Sequence, residues 1–554
     1  MACLYVILAT SFNIVIGLAG MFALSHAAFY AVGAYATAIL ATQYGLPFPF
    51  PLFAGIIMAA VIGGVAALPA LRVGGHYLVI ITLALQIIVE DTLRNAQGLT
   101  GGADGISGIP RIGLLGFSLA TPRSFLVFAA IVALLCFLIA QAIAKAPFGR
   151  ALRAMRENEI AAQAIGKDIV RLKLLAFVIS ASLASVAGSL LAQYITFVSP
   201  ASFTAEETIF ILAMVVLGGT GNLVGSVVGA IFLVVLPELL KFIHLPAATA
   251  DLIRNVFYGM ILIMVLRFRP SGLIPENYRL NIPPDLLKNP IAFALPLKGG
   301  AEHGEVTLAG EELSKNFGGI VAARSVTIEL QAGVVTGLIG PNGAGKTTAF
   351  NLLTGFLPAT AGQISYRGQQ ISGMRPHLIV RAGIARSFQD LKLFRGMTVL
   401  ENVLVALPDQ AGDDLRNVFF TPRAVATEEK ANIARALGIL DFVGLHGKAG
   451  TGADNLSYAE EKLLVIARLL ATDAQVILLD EPLSGLAPNT LDEVLPIIRK
   501  LANQGRTVCL IEHNLEVIRE ACDVVYYVDA GEVIARGEPE ELMRDPRLLE
   551  RYIQ

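Results

Sequence analysis

The sequence predicts a multi-domain protein in which an N-terminal polytopic α-helical membrane domain precedes a C-terminal soluble α/β domain. The 554 residues are 55% hydrophobic and only 16% charged, an apolar share above that of ordinary soluble proteins. Charge is also unevenly placed: residues 1–144 carry very little of it, whereas the chain after about residue 300 has the composition of a soluble α/β protein. The natural division is therefore a membrane half followed by a soluble half.

The membrane half contains apolar runs that are each near the 17–25 residues needed to cross the hydrocarbon of a bilayer. The apolar N-terminus lacks a basic region before it, so we expect a membrane span and not a cleaved signal peptide. The predicted spans cover about 2–20, 24–42, 50–71, 76–95, 125–144 and 172–192, two more segments within 205–242, and a last span at about 253–267.

The basic loop from Lys145 to Lys173 determines the predicted orientation. It holds seven basic residues against three acidic ones, and an excess of positive charge marks a cytoplasmic loop. Arg267 and Arg269 place the last exit on the same side. Parity then requires two membrane segments within 205–242, or one span and a re-entrant segment, with the turn expected near 218–222. The soluble half is thereby predicted to lie in the cytoplasm.

Small and polar residues in the membrane half have two alternative interpretations. Gly221, Gly225 and Gly229 recur every four residues, a stripe that lets membrane helices approach closely. No strand precedes them, which argues against a dinucleotide motif.

Intramembrane polar residues are functional candidates by default. For Glu90 we favour a position near water, paired with Arg94 one turn away, and for Glu238 a similar helix end. The polar residues concerned are Asn13, His26, Gln86, Glu90 and Glu238.

A proline-rich stretch separates the two halves. Six prolines lie between residues 270 and 296, and Gly299-Gly300 closes the stretch. Such a composition is typical of a semi-rigid, unstructured connector. The predicted domains are therefore a transmembrane domain at 1–270, a linker at 271–305 and a soluble domain at 306–554.

The soluble half is organised around a phosphate-binding loop that matches the pattern G-x-x-x-x-G-K-[ST] at every fixed position. A β-rich apolar run at 334–339 precedes the loop and a helix-compatible run follows it. Successive backbone N–H groups and the helix N-terminus would hold phosphates. Lys346 would reach the β- and γ-phosphates, and the Thr347 hydroxyl would bind Mg²⁺. The loop consists of Gly340, Pro341, Asn342, Gly343, Ala344, Gly345, Lys346, Thr347 and Thr348.

A second nucleotide motif lies at the end of a predicted buried strand, 476–481. Asp480 suits the carboxylate on the Mg²⁺ side of the site, because Mg²⁺ prefers hard oxygen ligands. Glu481 could then polarise the attacking water. Apolar strands that end in acids are common, so this motif gains its meaning from the phosphate loop.

Three further features show which family the soluble half resembles. Gln389 ends the run Arg386-Ser387-Phe388-Gln389, the run 456–462 begins a helix about twenty residues before the acidic strand, and His513 follows the strand 508–512. In this order and spacing they resemble the Q-loop, signature helix and switch histidine of ATP-binding cassette (ABC) ATPases. The resemblance covers all of about 306–554.

The resemblance implies a role for each matching residue. Phe317 is expected to be the aromatic platform for adenine, and Ser457 to belong to the signature that clamps a nucleotide across a dimer. Gln389 would sense the γ-phosphate and Mg²⁺ and contact the membrane domain. Glu481 would be the catalytic base, and His513 would contact the γ-phosphate. The expected cofactors are ATP and Mg²⁺, with the metal held by Thr347, Gln389 and Asp480.

The signature departs from the family pattern at two positions. The family usually carries Gly and Gln where this chain has Ala459 and Glu460. Because backbone N–H groups at a helix N-terminus bind the phosphate, we expect the Ala459 methyl to crowd its approach. Glu460 is expected to add negative charge there. We therefore expect the site that receives this signature to hydrolyse ATP less well than its counterpart.

The membrane half resembles the permeases that take up branched-chain (hydrophobic) amino acids, in the runs 25–29, 99–110, 149–159 and 214–219. The run 536–542 is similar to their ATPase subunits. The chain thus resembles a fusion of permease and ATPase, which implies one half of an ATP-driven importer in the cytoplasmic (inner) membrane. The resemblance further implies a second permease–ATPase half, identical or different, and an extracytoplasmic solute-binding protein. The basic loop around 150–167 would dock on the ATPase.

Two other functions fit parts of the same pattern. The architecture could serve an importer of short-chain amides or urea. A different class, a membrane-anchored ATPase that signals or remodels the envelope, usually has few spans and a large outer domain, and the sequence predicts neither. The formal net charge of −2 offers no electrostatic argument for nucleic acid.

Overall fold

The computed structural model describes residues 1–70, 75–114, 117–118, 121–240, 256, 259–260, 263–265, 267–276, 280, 282, 302–318 and 320–547. The chain divides into two compact units. The first comprises Met1–Arg156 and Ile169–Tyr278, and the second Glu157–Asp168 and Arg279–Gln554. The predicted linker, the last predicted span and the side chain of Glu238 fall wholly or largely outside the described residues.

The long helices of the first unit lie on the predicted apolar runs. A π-helical turn, Ile14–Leu18, continues the first of them, and the others are separated by short loops. The helices are α1 (Ala2–Asn13), α2 (His26–Thr42), α3 (Phe50–Ala70), α4 (His76–Asn95), the short α5 (Gln97–Thr100), α6 (Pro122–Lys145), α7 (Pro147–Glu157), α8 (Glu159–Ala164), α9 (Ile169–Ile195), α10 (Ala205–Gly218) and α11 (Leu223–Leu240), of which α8 belongs to the second unit.

Within the described part of the chain, four helical segments are long and apolar enough to span a membrane: Phe50–Pro69, Pro122–Lys145, Ile169–Ile195 and Pro200–Gly218. Shorter apolar helices cover Ala2–Leu18 and Leu223–Leu236. The turn between α10 and α11 falls at 219–222, where the sequence predicts it. Short strands β1 (Ile106–Ser107) and β4 (Phe197–Val198) pair antiparallel, as do β2 (Gly113–Leu114) and β3 (Phe117–Ser118).

Glycines let the backbones of the membrane helices touch. A Cβ on Gly188 of α9 would lie 2.0 Å from the Tyr30 carbonyl oxygen of α2. The predicted stripe behaves in the same way at two of its three positions: a Cβ on Gly225 would lie 2.4 Å from the Gly218 oxygen, and one on Gly229 would lie 2.1 Å from the Met214 oxygen. The expectation is wrong for Gly221, which precedes α11 and adopts φ +82° in the turn.

The polar residues buried in the first unit bind neighbouring helices. Asn13 accepts a hydrogen bond from the Gly221 N–H at 2.8 Å and donates one to Ser226 Oγ at 2.7 Å. Gln86 donates to the Phe203 oxygen at 2.7 Å, and His26 Nε2 lies 3.0 Å from Ser11 Oγ. The pair Glu90–Arg94 forms as predicted, at 2.8 Å.

Two sheets form the core of the second unit. The antiparallel sheet has the order β6-β5-β8-β9, and the larger sheet has the order β10-β11-β12-β7-β13-β14 with only β14 antiparallel. The strands are β5 (Val306–Phe317), β6 (Ile320–Gln331), β7 (Val335–Ile339), β8 (Ala361–Tyr366), β9 (Gln369–Gln370), β10 (Ile384–Arg386), β11 (Val476–Asp480), β12 (Thr507–Ile511), β13 (Val524–Asp529) and β14 (Glu532–Gly537). Strands β7, β11 and β12 are buried along their whole length, as expected for parallel strands covered on both faces.

The helices of the second unit connect these strands. They are α12 (Lys346–Leu353), α13 (Pro376–Ala382), α14 (Val399–Leu404), α15 (Leu415–Phe420), α16 (Pro422–Phe442), α17 (Tyr458–Ala471), α18 (Pro488–Asn503), α19 (Leu515–Ala521) and α20 (Pro539–Leu542). The segment Glu157–Asp168 packs within this unit. Lys167 Nζ lies 2.6 Å from Asp413 Oδ2, and Arg381 Nε donates to the Gly166 oxygen at 3.2 Å.

Candidate nucleotide site

The predicted catalytic and phosphate-binding residues lie together at one edge of the larger sheet. The phosphate loop follows β7, the acids Asp480 and Glu481 stand at the end of β11, and His513 comes two residues after β12. Gln389 lies three residues beyond β10. These four strands are parallel neighbours, so their carboxyl ends meet at the edge where α/β proteins bind ligands.

The phosphate loop depends on glycine at the positions where the chain bends. Gly340 adopts φ +148°, and a Cβ there would lie 1.9 Å from the Val528 oxygen. Gly345, with φ +101°, is the N-cap residue of α12. The left-handed region and the close backbone approach both exclude a side chain. The loop therefore turns tightly and delivers the N-terminus of α12 to the carboxyl edge of the sheet.

Lys346 is folded onto this loop. Its ammonium donates to the Gly340 oxygen at 2.7 Å and to the Pro341 oxygen at 2.8 Å. Burial lowers the pKa of Lys346, and the charges of Glu481 and Asp480 oppose that shift. Lys346 thus lies within electrostatic range of both acids at the end of β11. Of the remaining loop residues, Asn342, Gly343 and Thr347 are exposed, Thr348 is partly exposed and Ala344 is buried.

Three of the predicted catalytic residues are in direct contact. His513 Nε2 lies 2.8 Å from Glu481 Oε1, and Gln389 Nε2 donates to the same oxygen at 3.2 Å. Glu481 adopts φ +50°, an unusual conformation for a side chain of this size. Strained backbone of this kind occurs at active sites where the surrounding structure holds it in place. The Glu481 N–H donates to the Ile511 oxygen at 3.0 Å, which ties the turn to β12.

Asp480 is buried against an arginine whose role sequence reasoning missed. Arg386 Nη2 lies 3.3 Å from Asp480 Oδ2, and both side chains are only 2% exposed. Burial lowers the pKa of Arg386 to about 10, and burial raises the pKa of Asp480 while Arg386 opposes that shift. The Asp480 N–H also donates to Ser387 Oγ at 2.8 Å. Their position in the sequence could have identified Arg386 and Ser387 as site residues, because they directly precede Phe388 and the predicted site residue Gln389.

Lys462 and Glu512 also contact the acidic turn and were not predicted as site residues. Lys462 Nζ donates to the Glu481 carbonyl oxygen at 2.5 Å. Glu512 accepts from the Leu483 N–H at 2.6 Å, and burial raises its pKa. The two residues thus bind the main chain at Glu481 and at Leu483, two residues further on. Their sequence positions gave no signal, because each contact joins elements distant in the chain.

The signature residues lie at the exposed N-terminus of α17, where Ser457 is the N-cap residue. Glu460 completes a capping box: its Oε2 accepts from the Ser457 N–H at 2.9 Å. Its other oxygen lies 2.5 Å from Lys448 Nζ, and these contacts lower the pKa of Glu460. The expected excess of negative charge is therefore compensated by Lys448. The crowding expected from the Ala459 methyl stays a prediction.

Phe317 stands apart from the strand-end cluster, at the end of β5 in the antiparallel sheet. Its side chain is 50% exposed, and Lys315 Nζ lies 5.3 Å from the ring centroid. The neighbouring strand β6 reaches the phosphate loop, because a Cβ on Gly345 would lie 2.8 Å from the Ala322 oxygen. An exposed ring on this hairpin is available to stack on a planar base.

The residues present fit a magnesium nucleotide. The glycine-rich turn leaves space for an anion beside backbone N–H groups. The Lys346 ammonium donates to two neutral carbonyl oxygens, and negatively charged phosphate oxygens are stronger acceptors that could replace them. Asp480, Gln389 and Thr347 offer carboxylate, amide and hydroxyl oxygens, the ligand types that Mg²⁺ prefers.

Each of the two units contains a region that matches a known protein family. Residues 1–266 match the family model for the permease component of branched-chain amino acid transport systems, and residues 323–484 match that for ABC transporters. The high-affinity branched-chain amino acid transport ATP-binding protein LivG of Salmonella typhimurium is 38% identical over 247 residues, 44% of this chain and 97% of that protein. The permease protein LivM of the same organism is 38% identical over 300 residues, 50% of this chain and 68% of that protein.

Among solved structures, a nucleotide-free ATP-binding cassette from an ABC transporter shows 33% identity with a TM-score of 0.40, covering 45% of this chain and 100% of that one. The fold and the site define a multi-pass membrane protein that carries its own nucleotide-binding ATPase. More specifically, the chain belongs to the ABC transporters of the branched-chain amino acid family, with the permease and the ATP-binding component fused. The chain couples ATP hydrolysis to transport. It does so in a membrane, together with partner subunits.

Proposed function

We propose that the chain is one half of an importer that uses ATP to move branched-chain or other hydrophobic amino acids across the cytoplasmic (inner) membrane. The observation that carries this proposal is the presence, in one chain, of two regions that each share 38% identity with a component of the same amino acid transport system. A chance fusion of unrelated parts would not pair the permease with its matching ATPase.

The site residues would divide the chemistry as follows. The loop from Gly340 to Thr348 holds the phosphates, Ser457 serves the partner's nucleotide across a dimer, and Phe317 stacks on adenine. Mg²⁺, when bound by Thr347, Gln389 and Asp480, neutralises phosphate charge. Glu481 accepts the proton of the attacking water. His513 orients the Glu481 carboxylate through their 2.8 Å contact and reaches the γ-phosphate.

The proposed arrangement has residues 1–270 in the membrane, 271–305 as linker and 306–554 on the cytoplasmic side. This orientation rests on the basic loop 145–173. One chain supplies one permease and one ATPase, so a second half, identical or different, completes the transporter. An extracytoplasmic solute-binding protein would deliver the substrate and set much of the selectivity.

Uptake by cells that lack the gene tests this proposal. Radiolabelled leucine, isoleucine, valine and urea would be supplied to a deletion strain that carries wild-type protein, Lys346→Ala or an empty vector. We expect the wild-type protein alone to restore uptake of the three amino acids. Restoration of urea uptake alone would instead favour the amide or urea importer. Indifference of all four substrates to the deletion would exclude the proposed substrates.

A further inference from the structure

The two places where the chain leaves the membrane unit meet at one ion pair. Arg156 is the last residue of that unit before the segment Glu157–Asp168, and Glu276 stands two residues before the unit ends at Tyr278. Arg156 Nη2 lies 2.8 Å from Glu276 Oε2, with the side chains 22% and 25% exposed. Residues 120 positions apart in the sequence thus join the two exits.

Arg156 also fits closely against the helix that begins the chain. Its Nη1 donates to the Gly17 oxygen at 2.5 Å, within the π-helical turn after α1. A Cβ on Gly20 would lie 2.5 Å from Arg156 Cγ, so this side chain occupies the space that glycine leaves. A π-helical turn replaces regular helix at a cost in stability and frequently marks a functional site.

The segment that carries Glu276 is fixed to the turn between α10 and α11. The Leu273 N–H donates to the Leu217 oxygen at 2.9 Å and the Ile274 N–H to the Gly218 oxygen at 3.0 Å. Asn222 Nδ2 donates to the Pro275 oxygen at 2.9 Å. A Cβ on Gly221 would lie 2.6 Å from Glu276 Oε2 and 3.1 Å from Arg156 Nη1. The ion pair therefore rests directly on this turn.

The residue after Arg156 contacts the loop that carries Gln389. Gly396 donates its N–H to Glu157 Oε2 at 3.4 Å, and a Cβ on Gly396 would lie 2.6 Å from Glu157 Oε1. Gln389, seven residues earlier, donates to Glu481. Of these two consecutive residues, Arg156 contacts other parts of the membrane unit. Glu157 contacts the loop that carries Gln389, which we call the catalytic loop.

We propose that Arg156 and Glu276 are positioning residues that form a clamp, holding the π-helical turn and the α10–α11 turn to both exits of the membrane unit. When the catalytic loop moves, Glu157 follows it and the covalently attached Arg156 moves both turns together. Arginine suits this role because its planar fork binds Gly17 and Glu276 simultaneously, which lysine does not. The inference rests on the proposed function, since it concerns how hydrolysis is coupled to import.

Breaking the clamp should uncouple the two activities without removing either. Arg156→Gln and Glu276→Gln would be compared with wild type in the assembled transporter, measuring leucine uptake and ATP hydrolysis on the same proteoliposomes. Because coupling between sites is typically worth 5–150-fold, we expect transport per ATP to fall at least about five-fold. Hydrolysis per folded transporter should stay within about two-fold. Arg156→Lys, which keeps the charge, should show a smaller loss.

The matched control is Arg94→Gln, which breaks the exposed pair with Glu90 in the same unit. It should leave transport per ATP unchanged. If Arg156→Gln and Glu276→Gln also leave this ratio unchanged, or if hydrolysis and transport fall together, the clamp is not a coupling device.

A second measurement does not depend on the substrate. Thr220, exposed in the α10–α11 turn, would be replaced by cysteine in a Cys3→Ser background, since the other three cysteines are buried. We expect the maleimide labelling rate at position 220 to change on addition of ATP, and Arg156→Gln to abolish that change. Retention of the change in Arg156→Gln would overturn the clamp. If Arg156→Gln abolishes a change that the wild-type protein shows, but the wild-type protein transports no tested amino acid, the proposed substrate fails and the clamp stands.

Discussion

The two units of this protein place their important polar groups in different ways. In the ATP-binding unit, side chains project from the ends of parallel strands, as Glu481 and His513 do at 2.8 Å from each other. In the membrane unit, glycines bring backbones together, as at Gly188 and Tyr30, and single polar side chains such as Asn13 join distant helices. The ATP-binding unit therefore depends on chemical groups, and the membrane unit on the absence of side-chain volume.

This difference predicts opposite sensitivities to substitution. A change that preserves shape but removes charge should be severe at the strand ends and mild among the membrane helices. The addition of a single methyl group should have the reverse effect. The rate of ATP hydrolysis measures the sensitivity at the strand ends, and thermal stability measures the sensitivity among the membrane helices.

The largest effect is expected from Glu481→Gln. Gln keeps the shape and the contacts near Gln389 and His513, but it cannot accept a proton. General bases contribute about 10²–10⁴-fold, so we expect ATP turnover to fall by at least about 100-fold while nucleotide binding persists. Phosphate release and binding of a fluorescent nucleotide would measure the two quantities. Glu493→Gln, an exposed carboxylate in α18, is the control and should retain wild-type turnover; equal turnover in the two variants would contradict the role of Glu481.

In the membrane unit, Gly188→Ala should destabilise the protein although alanine is the better helix former. Its Cβ would lie 2.0 Å from a main-chain oxygen of α2, and overpacking of this kind costs typically about 1–3 kcal/mol. Gly64→Ala in α3 is the matched control, because its nearest neighbour would be 3.8 Å away. Thermal unfolding in detergent should show a lowered midpoint for the first variant and an equal or raised midpoint for the second. A lowered midpoint for both would show that helix propensity and packing do not explain the effect.

A pH-dependent effect is expected at Glu512, which lies beside the catalytic turn. Burial raises the pKa of Glu512 in the folded state above its ordinary 4.5. At a pH between 4.5 and this raised pKa, the folded state therefore holds a proton that the unfolded state has lost. The free energy of unfolding therefore falls as pH rises through this window. Glu512→Gln keeps an oxygen to accept from the Leu483 N–H and removes the titration.

The thermal midpoint of Glu512→Gln, taken relative to wild type at each pH, should rise from pH 4.5 towards neutrality. A difference between the two proteins that stays constant over this range would show that Glu512 does not bear the shift.

The smallest effect is expected in the signature. Because Lys448 and the Ser457 N–H already engage the Glu460 carboxylate, Glu460→Gln alone should change turnover little. Ala459→Gly should raise turnover of the assembled transporter about 2- to 5-fold, the equivalent of ~0.5–1 kcal/mol. Steady-state hydrolysis of the two single variants and the double variant measures this. Unchanged turnover for Ala459→Gly would remove the steric argument for a weaker site.

Sequence reasoning was most informative where a contact follows from local order. The apolar runs predicted the membrane helices, and the turn near Gly218–Asn222 was placed correctly, because span length and parity are properties of the chain itself. The phosphate loop and Glu481 could be placed because each directly follows a strand, and parallel strands deliver their ends to one edge. The role predicted for His513 came from the resemblance to ABC ATPases.

The contacts that sequence reasoning missed join segments far apart in the chain. Arg386 with Asp480, Lys462 with the Glu481 oxygen, and Arg156 with Glu276 depend on tertiary packing that no local pattern specifies. Gly221 shows the same limit: its spacing suggested a packing stripe, but α11 begins only at Leu223, so the glycine serves a turn.

Leucine transport by reconstituted transporter tests the central claim most directly. Wild-type protein and Glu481→Gln would be assembled with the partner half and the solute-binding protein in proteoliposomes, with ATP and Mg²⁺ supplied on the ATPase side. The account predicts leucine accumulation by the wild-type protein that requires both ATP and Glu481. Equal accumulation by Glu481→Gln, or accumulation without ATP, would contradict it.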